Sequence, residues 1–315
     1  MTSRRLLLVL PLLSVGCGPA LPGDTPPARF ATTLEQASSS SAIVVARMDA
    51  FETMARREVD AIAYANGDRR VMPRVGPPEA GIAAQAGDVI GAAFVALGDY
   101  GHILTTVATD QPPIPRQSDS GTVLAQQASQ GLVRLRQSAG IVLPSAVQAA
   151  GLNGIATLAA LPDRVAAGPR RSTQSLVAEA EPSVKAVAEL LRTLIDNPSG
   201  GLRGVLRAKR EGFDSEASRF LNRLAVDRRL GPADRYMLYR SVAALREDDP
   251  ASGTFAAIAS VATSMQQAHT ALAGPTGPAQ AAVSGFEASV AQLGVLAESS
   301  RRRDPPPPAN DQPLR

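Results

Sequence analysis

The sequence predicts an all-α protein that forms an elongated antiparallel helical bundle. Apolar residues recur every three or four positions over long stretches, and neither an alternating strand pattern nor an internal repeat is found. Aromatic residues make up 3% of the chain and Trp is absent. We therefore expect the helices to pack closely through Ala, Gly, Ser and short aliphatic side chains.

The first element is an export signal. Arg4 and Arg5 precede an apolar run from Leu6 to Leu13, and small residues then lead to Cys17. A basic start, a short apolar segment and a small-residue cleavage site are the three parts of such a signal. The apolar run is shorter than the roughly 20 residues that a bilayer-spanning helix needs.

This segment resembles the signal of bacterial lipoproteins, whose cysteine is lipidated and becomes the new N-terminus. The resemblance covers residues 1–18 and implies a signal peptide at 1–16 and acylation of Cys17. The proline- and glycine-containing residues 18–28 predict a short, stiff segment without helix, so that residues 17–28 would form a lipidated tether. In Gram-negative lipoproteins an Asp after the cysteine retains the protein at the inner membrane. Gly18 stands there instead, so the resemblance implies the periplasmic side of the outer membrane. A signal peptide cut nearby without lipidation and an uncleaved anchor are the alternatives.

A helical bundle is predicted over residues 29–300, followed by a disordered Pro-rich tail at 301–315. Asp214 is the predicted N-cap of a helix at 214–229, and the helix predicted at 172–196 is a candidate for a restart at Pro182. Two subdomains divided near residue 168 are the alternative to one domain. The predicted helices lie at about 30–65, 79–109, 118–139, 144–167, 172–196, 202–211, 214–229, 232–248, 252–273 and 278–300.

Composition narrows the classes of function. The net charge of +3 falls to +1 without Arg4 and Arg5, so the mature chain is nearly neutral. Near neutrality and few aromatic rings argue against nucleic acid as a partner. The two histidines and the single cysteine, which lipidation would consume, make a metal site unexpected. No nucleophile elbow, phosphate-binding loop or H-E-x-x-H motif is present, and neither a catalytic residue nor a cofactor is predicted.

A basic region at residues 203–240 is the main candidate surface for an anion or an acidic partner. It holds ten basic and five acidic residues, and Arg219 and Arg223 lie one turn apart on the same helical face. Guanidinium groups bind phosphate and carboxylate well. A solvated face with local ion pairs is the simpler interpretation. The candidate contacts are Arg203, Arg207, Arg219, Arg223, Arg228 and Arg229.

The two histidines are interpreted separately. His269 lies on the apolar seam of its helix, which predicts a buried imidazole bonded to a polar partner. The alternative for His269 is a ligand-binding or pH-sensing position. His102 lies opposite the apolar stripe of its helix, and Asp99 three residues earlier suggests an exposed Asp–His pair, with a weak metal or acid–base site as the alternative.

Two tracts without charged side chains, at residues 137–162 and 250–286, are compatible with central helices or with an insertable hairpin. Their prolines, glycines and amides favour central helices.

Taken together, the sequence favours a non-enzymatic envelope lipoprotein with a structural or protein-interaction role. We expect it to contact the membrane through its N-terminal lipid and to bind an envelope protein. The alternatives are a helical module that binds a small ligand, lipid or metal, and a membrane-inserting protein of the pore-forming kind.

Overall fold

The computed structural model describes residues 24–67, 80–111, 120–197, 200–247 and 250–303. These residues form ten α-helices and no strand, which confirms the predicted all-α bundle. Residues 1–16, Cys17 and residues 304–315 lie outside the described residues. The helices are α1 (Pro26–Ala65), α2 (Ile82–Ala108), α3 (Gly121–Ala139), α4 (Ser145–Ala159), α5 (Leu161–Ala167), α6 (Thr173–Asp196), α7 (Leu202–Val226), α8 (Pro232–Glu247), α9 (Ala251–Leu272) and α10 (Thr276–Arg303).

The main correction concerns α7, which is a single helix where the sequence predicted two. Asp214 lies in its interior, so the prediction of an N-cap there is wrong. The misleading signal is Gly212, since an interior glycine costs roughly 1 kcal/mol of helix propensity. The helix continues because Ala217 and Phe220, beyond the glycine, are buried against neighbouring helices.

Smaller boundary corrections occur elsewhere. α6 passes through Pro182 without a restart, and the helix predicted over 144–167 divides into α4 and α5. α1 begins at Pro26, three residues inside the predicted tether, because proline fits the first turn of a helix. Residues 301–303, assigned to the tail from the sequence, belong to α10.

α2 lies at the centre of the bundle. It packs against α1, α3, α4 and α6, and Phe94, Leu97 and Tyr100 are at most 1% exposed. α1 runs antiparallel to it, with Val45 beside Gly87 and Leu34 beside Gly101. Glycines at these contacts let the two backbones approach closely.

α9 is a second central helix, packed against α1, α6 and α10. Its buried residues agree with the interpretation of the 250–286 tract as central for the part that α9 covers, whereas residues 273–278, 280–281 and 284–285 of that tract are exposed. The 137–162 tract does not follow that expectation throughout, because α4 buries one face and exposes another that includes Ser145 and Asn153.

The last helix packs against the first. Arg29 Nε donates a hydrogen bond of 2.8 Å to Glu287 Oε1, and Arg29 Nη2 donates one of 3.1 Å to Ser284 Oγ. α1 and α10 therefore lie side by side, and the two ends of the described chain meet in one bundle.

Two hydrophobic clusters divide the molecule. The main cluster includes residues on both sides of residue 168, such as Leu158 and Val187. A smaller satellite cluster joins the last part of α1 to α7 and α8, and it consists of Ile62, Ala217, Phe220 and Val242, with Phe213, Leu221 and Leu224 packed against it. α1 and α7 are common to both clusters.

Candidate functional site

All six arginines that the sequence singled out are exposed, but they do not form one site. Arg203 lies at the start of α7 and its Nη1 is 2.7 Å from Asp196 Oδ1. From Arg207 to Arg219 the helix rises roughly 18 Å. The first two arginines are therefore separated from the other four, which lie near the turn between α7 and α8.

The four arginines near that turn lie among exposed apolar side chains. Arg219, Arg223 and Val226 follow an i, i+4, i+7 spacing and share one face of α7. Beyond the turn, α8 exposes Tyr236, Met237 and Tyr239 by 60–62%, and Val226 is 78% exposed. We call this set the distal patch: Arg219, Arg223, Val226, Arg228, Arg229, Tyr236, Met237 and Tyr239.

The charge of the distal patch is not neutralised within the described residues. Residues 219–240 hold six arginines and two aspartates. In the described part of the chain, the guanidinium groups of Arg223, Arg228 and Arg229 have no carboxylate within ion-pair distance, and Arg219 bonds only to the carbonyl of Ser215. The patch therefore presents cationic and apolar groups together to solvent.

The distal patch lies far from the start of α1. Ile62, near the end of α1, packs in the satellite cluster with Phe220 of α7 and Val242 of α8. Thirty-six residues separate it from Pro26, which corresponds to roughly 54 Å of helix. The patch and the N-terminal end of α1 are therefore at opposite ends of a long helix.

His269 is the centre of a second arrangement, a buried hydrogen-bond network between α2, α6 and α9. Its side chain is 0% exposed. Nε2 lies 2.8 Å from Tyr100 Oη, and Nδ1 lies 2.5 Å from Glu181 Oε2. The other oxygen of Glu181 accepts a hydrogen bond of 2.8 Å from Thr270 Oγ1.

The partners decide where the protons of this network lie. A carboxylate only accepts hydrogen bonds, so His269 Nδ1 donates to Glu181, and Nε2 of a neutral imidazole accepts from the Tyr100 hydroxyl. The hydrogen bond from His269 holds the pKa of Glu181 below its usual range, against the opposing effect of burial. Burial raises the pKa of Tyr100, which keeps the phenol protonated as a donor.

The surroundings of His269 leave no room for a substrate at the imidazole. The ring of Phe30 packs at 5.6 Å from the imidazole centroid, and Tyr100 is itself fully buried. The network reaches the surface at Glu181, with 32% of its side chain exposed, and at the exposed Thr270. The network connects three helices, and we interpret it as a structural connection rather than a reaction centre.

His102 does not pair with Asp99 at the surface as expected. Asp99 is only 1% exposed, because the broad buried face of α2 includes it. His102 Nδ1 instead lies 4.0 Å from Glu35 Oε1 of α1. The exposed Asp–His pair predicted from the sequence is therefore wrong.

A cleft between α1 and α7 is the feature that the sequence analysis missed. It encloses about 760 Å³ between the two hydrophobic clusters. A charged residue is almost buried at one end: the side chain of Glu52 is 10% exposed. We call this the α1–α7 cleft, and its apolar walls are Met48, Phe51, Ala55, Val59, Leu206 and Phe213.

Glu52 connects the cleft to the start of α2. Its Oε2 accepts a hydrogen bond of 2.6 Å from the backbone N–H of Ala83, in the first turn of α2. Its Oε1 is 3.9 Å from Nζ of Lys209. Burial raises the pKa of Glu52, although the Ala83 N–H and Lys209 both favour the carboxylate.

Two features of the described residues bear on metals and membranes. They contain no group of three or more His, Cys, Asp and Glu side chains that could hold a metal ion. One helix, α2, is long and apolar enough to cross a membrane by length and composition, and 72% of its most apolar window is buried inside the bundle. That burial is typical of a core helix.

Comparison of the chain with protein-family models, with curated proteins and with solved structures finds no match.

Proposed function

We propose that this chain is a lipid-anchored lipoprotein of the outer membrane, on its periplasmic side, whose helical bundle binds an acidic protein of the cell envelope. The single observation that carries the binding role is the distal patch. It combines exposed Tyr, Met and Val side chains with four arginines whose guanidinium groups have no carboxylate within ion-pair distance among the described residues. Tyr, Met and Arg are enriched in protein interfaces, where they supply much of the binding energy.

The position of the patch supports a partner at a distance from the anchoring membrane. The proposed anchor, Cys17, precedes the start of α1 by nine residues, and Ile62, which packs against the two helices that carry the patch, lies roughly 54 Å further along α1. A bundle anchored at its N-terminal end would therefore present arginines and tyrosines away from its own membrane.

A role in binding rather than catalysis is supported by the burial of the imidazole in the His269 network. The strongest polar cluster, around His269, is closed by Phe30 and Tyr100. The burial of α2 also favours binding over membrane insertion.

The proposal is tested by isolating the protein and its partners from membranes after cross-linking. We expect the full chain to fractionate with the outer membrane and to co-isolate a protein with an acidic surface, in a manner that high salt weakens. Arg219→Glu combined with Arg223→Glu should abolish co-isolation, because two charges of the patch are reversed. Cys17→Ala should release the protein from the membrane.

A matched control reverses two exposed arginines elsewhere. Arg136→Glu on α3 combined with Arg170→Glu before α6 changes the net charge equally, and should co-isolate the partner as the unaltered chain does. Equal loss of co-isolation in both double variants would show a non-specific effect of charge and would contradict the binding role of the distal patch. Unchanged membrane association of Cys17→Ala would contradict the proposed lipid anchor at Cys17.

A further inference from the structure

We propose that the α1–α7 cleft binds a single-chain amphiphile, with its apolar chain between the two helices and its anionic carboxylate or phosphate head at Lys209. This site is separate from the distal patch and does not depend on its partner.

The first argument is the shape and lining of the cleft. Its volume of about 760 Å³ falls within the range of roughly 300–1,000 Å³ that is usual for small-molecule sites. Phe51 and Val59 on α1 and Phe213 on α7 are only partly buried where they line the cleft. An apolar chain along this wall would cover them, with a gain of roughly 25 cal/mol per Å² of apolar surface removed from water.

The second argument is the glycine at position 212. Gly212 lies in the interior of α7 and lines the cleft. A Cβ there would meet no atom within 4 Å, so packing inside the protein does not require glycine. An interior glycine lowers helix stability by roughly 1 kcal/mol relative to alanine. Gly212 is exposed, and its open surroundings, which Gly204 and Gly285 share, leave this part of the cleft accessible to a ligand.

The third argument is the distribution of charge along the cleft. Contacts of Lys209 with Glu52, and of Phe220 with Ile62, show that α1 and α7 run in the same direction. Three basic side chains (Arg56, Lys209 and Arg210) therefore lie with the single carboxylate of Glu52 at one end, whereas three carboxylates (Asp60, Asp214 and Glu216) lie at the other end with Arg246, which pairs with Asp214. An anionic head is favoured at the lysine end and repelled at the other.

Lys209 itself is placed to receive an anionic head. Its ammonium is 3.9 Å from Glu52, longer than a hydrogen bond, and the side chain is 54% exposed. The Glu52 carboxylate already accepts from the Ala83 N–H. Burial raises the pKa of Glu52, which lowers the energetic cost of protonating it if an anion approaches.

The test is titration calorimetry on the full chain with Cys17→Ser, so that no attached lipid competes. Three probes are used below their micelle concentrations: palmitate, lysophosphatidylglycerol and the neutral-headed dodecyl maltoside. We expect saturable one-to-one binding of an anionic probe. Binding of palmitate alone would show that the site recognises a carboxylate head, and binding of lysophosphatidylglycerol alone would show that it recognises a phosphate head. Binding of both would show that it recognises the negative charge that the two heads share.

Two variants locate the site. Gly212→Leu fills the cleft and should abolish binding, while its melting temperature stays equal or rises because leucine favours the helix. Lys209→Met should lower the affinity for the anionic probes about tenfold and leave any binding of dodecyl maltoside unchanged. Gly204→Leu, outside the cleft on the same helix, and Lys185→Met on α6 are the matched controls and should bind as the parent does.

Three results would overturn the proposal: no saturable binding of an anionic probe, binding that survives Gly212→Leu, or equal loss in Gly212→Leu and Gly204→Leu. Unchanged palmitate and lysophosphatidylglycerol affinity in Lys209→Met would overturn the assignment of the head group.

Discussion

At the scale of single residues, the His269 network shows how one buried polar side chain is accommodated. Each nitrogen of the imidazole has a partner, and the partners come from α2 and α6. A buried polar group left without a partner costs roughly 1–3 kcal/mol. Removing one member should therefore destabilise the bundle by more than the bond alone is worth.

Glu181→Gln is expected to lower the free energy of unfolding by about 1–2 kcal/mol at pH 7, because the charged acceptor of His269 Nδ1 is lost. The pKa of Glu181 is lowered in the folded state, so its contribution is present above its unfolded value of about 4.3. That contribution is lost as the pH falls through the folded value. Urea unfolding from pH 7 to pH 3 should show the difference between parent and variant shrinking at the acid end.

The control for this prediction is Glu211→Gln, an exposed carboxylate of α7. We expect its unfolding free energy to stay within about 0.5 kcal/mol of the parent at every pH. A difference in unfolding free energy between Glu181→Gln and the parent that stays constant with pH would contradict the assigned role of the carboxylate.

Part of this network was predictable from sequence. His269 and Tyr100 both lie on apolar stripes, and Glu181 is four residues after the buried Val177 and three before the buried Val184. A polar residue on an apolar seam predicts a buried polar partner. Which residues pair could not be predicted, because the distances depend on how α2, α6 and α9 pack.

At the scale of helices, glycine determines how closely α4 approaches α6. A Cβ on Gly151 would lie 2.6 Å from Leu190 Cβ, and one on Gly154 would lie 2.9 Å from the carbonyl oxygen of Ser183. The two glycines are three residues apart and share one face of α4. This contact realises the small-residue packing that the composition predicts.

Gly151→Ala is expected to destabilise the protein by about 1–3 kcal/mol, since the added methyl group overlaps a buried side chain. Gly285→Ala, in the interior of α10 with no atom within 4 Å of the new Cβ, should instead stabilise it by about 0.5–1 kcal/mol. Thermal unfolding of the two variants measures both. The same sign for both changes would contradict the assigned role of Gly151.

The helices were largely predictable, and the errors have physical reasons. Apolar periodicity located α2 and α9 because their seams are long. The break predicted before Asp214 failed because burial of Phe220 and Ala217 outweighs the weak propensity of Gly212. The α1–α7 cleft could not be predicted at all, since it depends on how α1 and α7 pack against each other.

At the scale of the whole molecule, the bundle has a large main cluster and a small satellite cluster. The satellite is held by four buried residues, and Val242 is the only residue of α8 within it that is fully buried among the described side chains. Elements with few buried apolar contacts open at low free energy. We therefore expect α8 to exchange its amide hydrogens faster than α9.

Phe220→Ala tests this division. The substitution should cost the satellite about 3–5 kcal/mol, so α8 loses its protection from hydrogen exchange while the main bundle keeps its melting temperature. Phe286→Ala, at a fully buried position of the main cluster, should lower that melting temperature instead. Both effects are read by hydrogen exchange with mass spectrometry and by calorimetry. Equal loss of global stability in both variants would contradict two separable cores.

The contact of α1 with α10 has a consequence for the order in which the chain folds. Arg29 and Glu287 are 258 positions apart, so the groove that α10 fills stays open until α10 itself has been made. Folding contacts of such long range are slow to form, and they leave Phe30 and its neighbours uncovered on the nascent chain. A chaperone that holds the early helices would have its greatest effect in that interval.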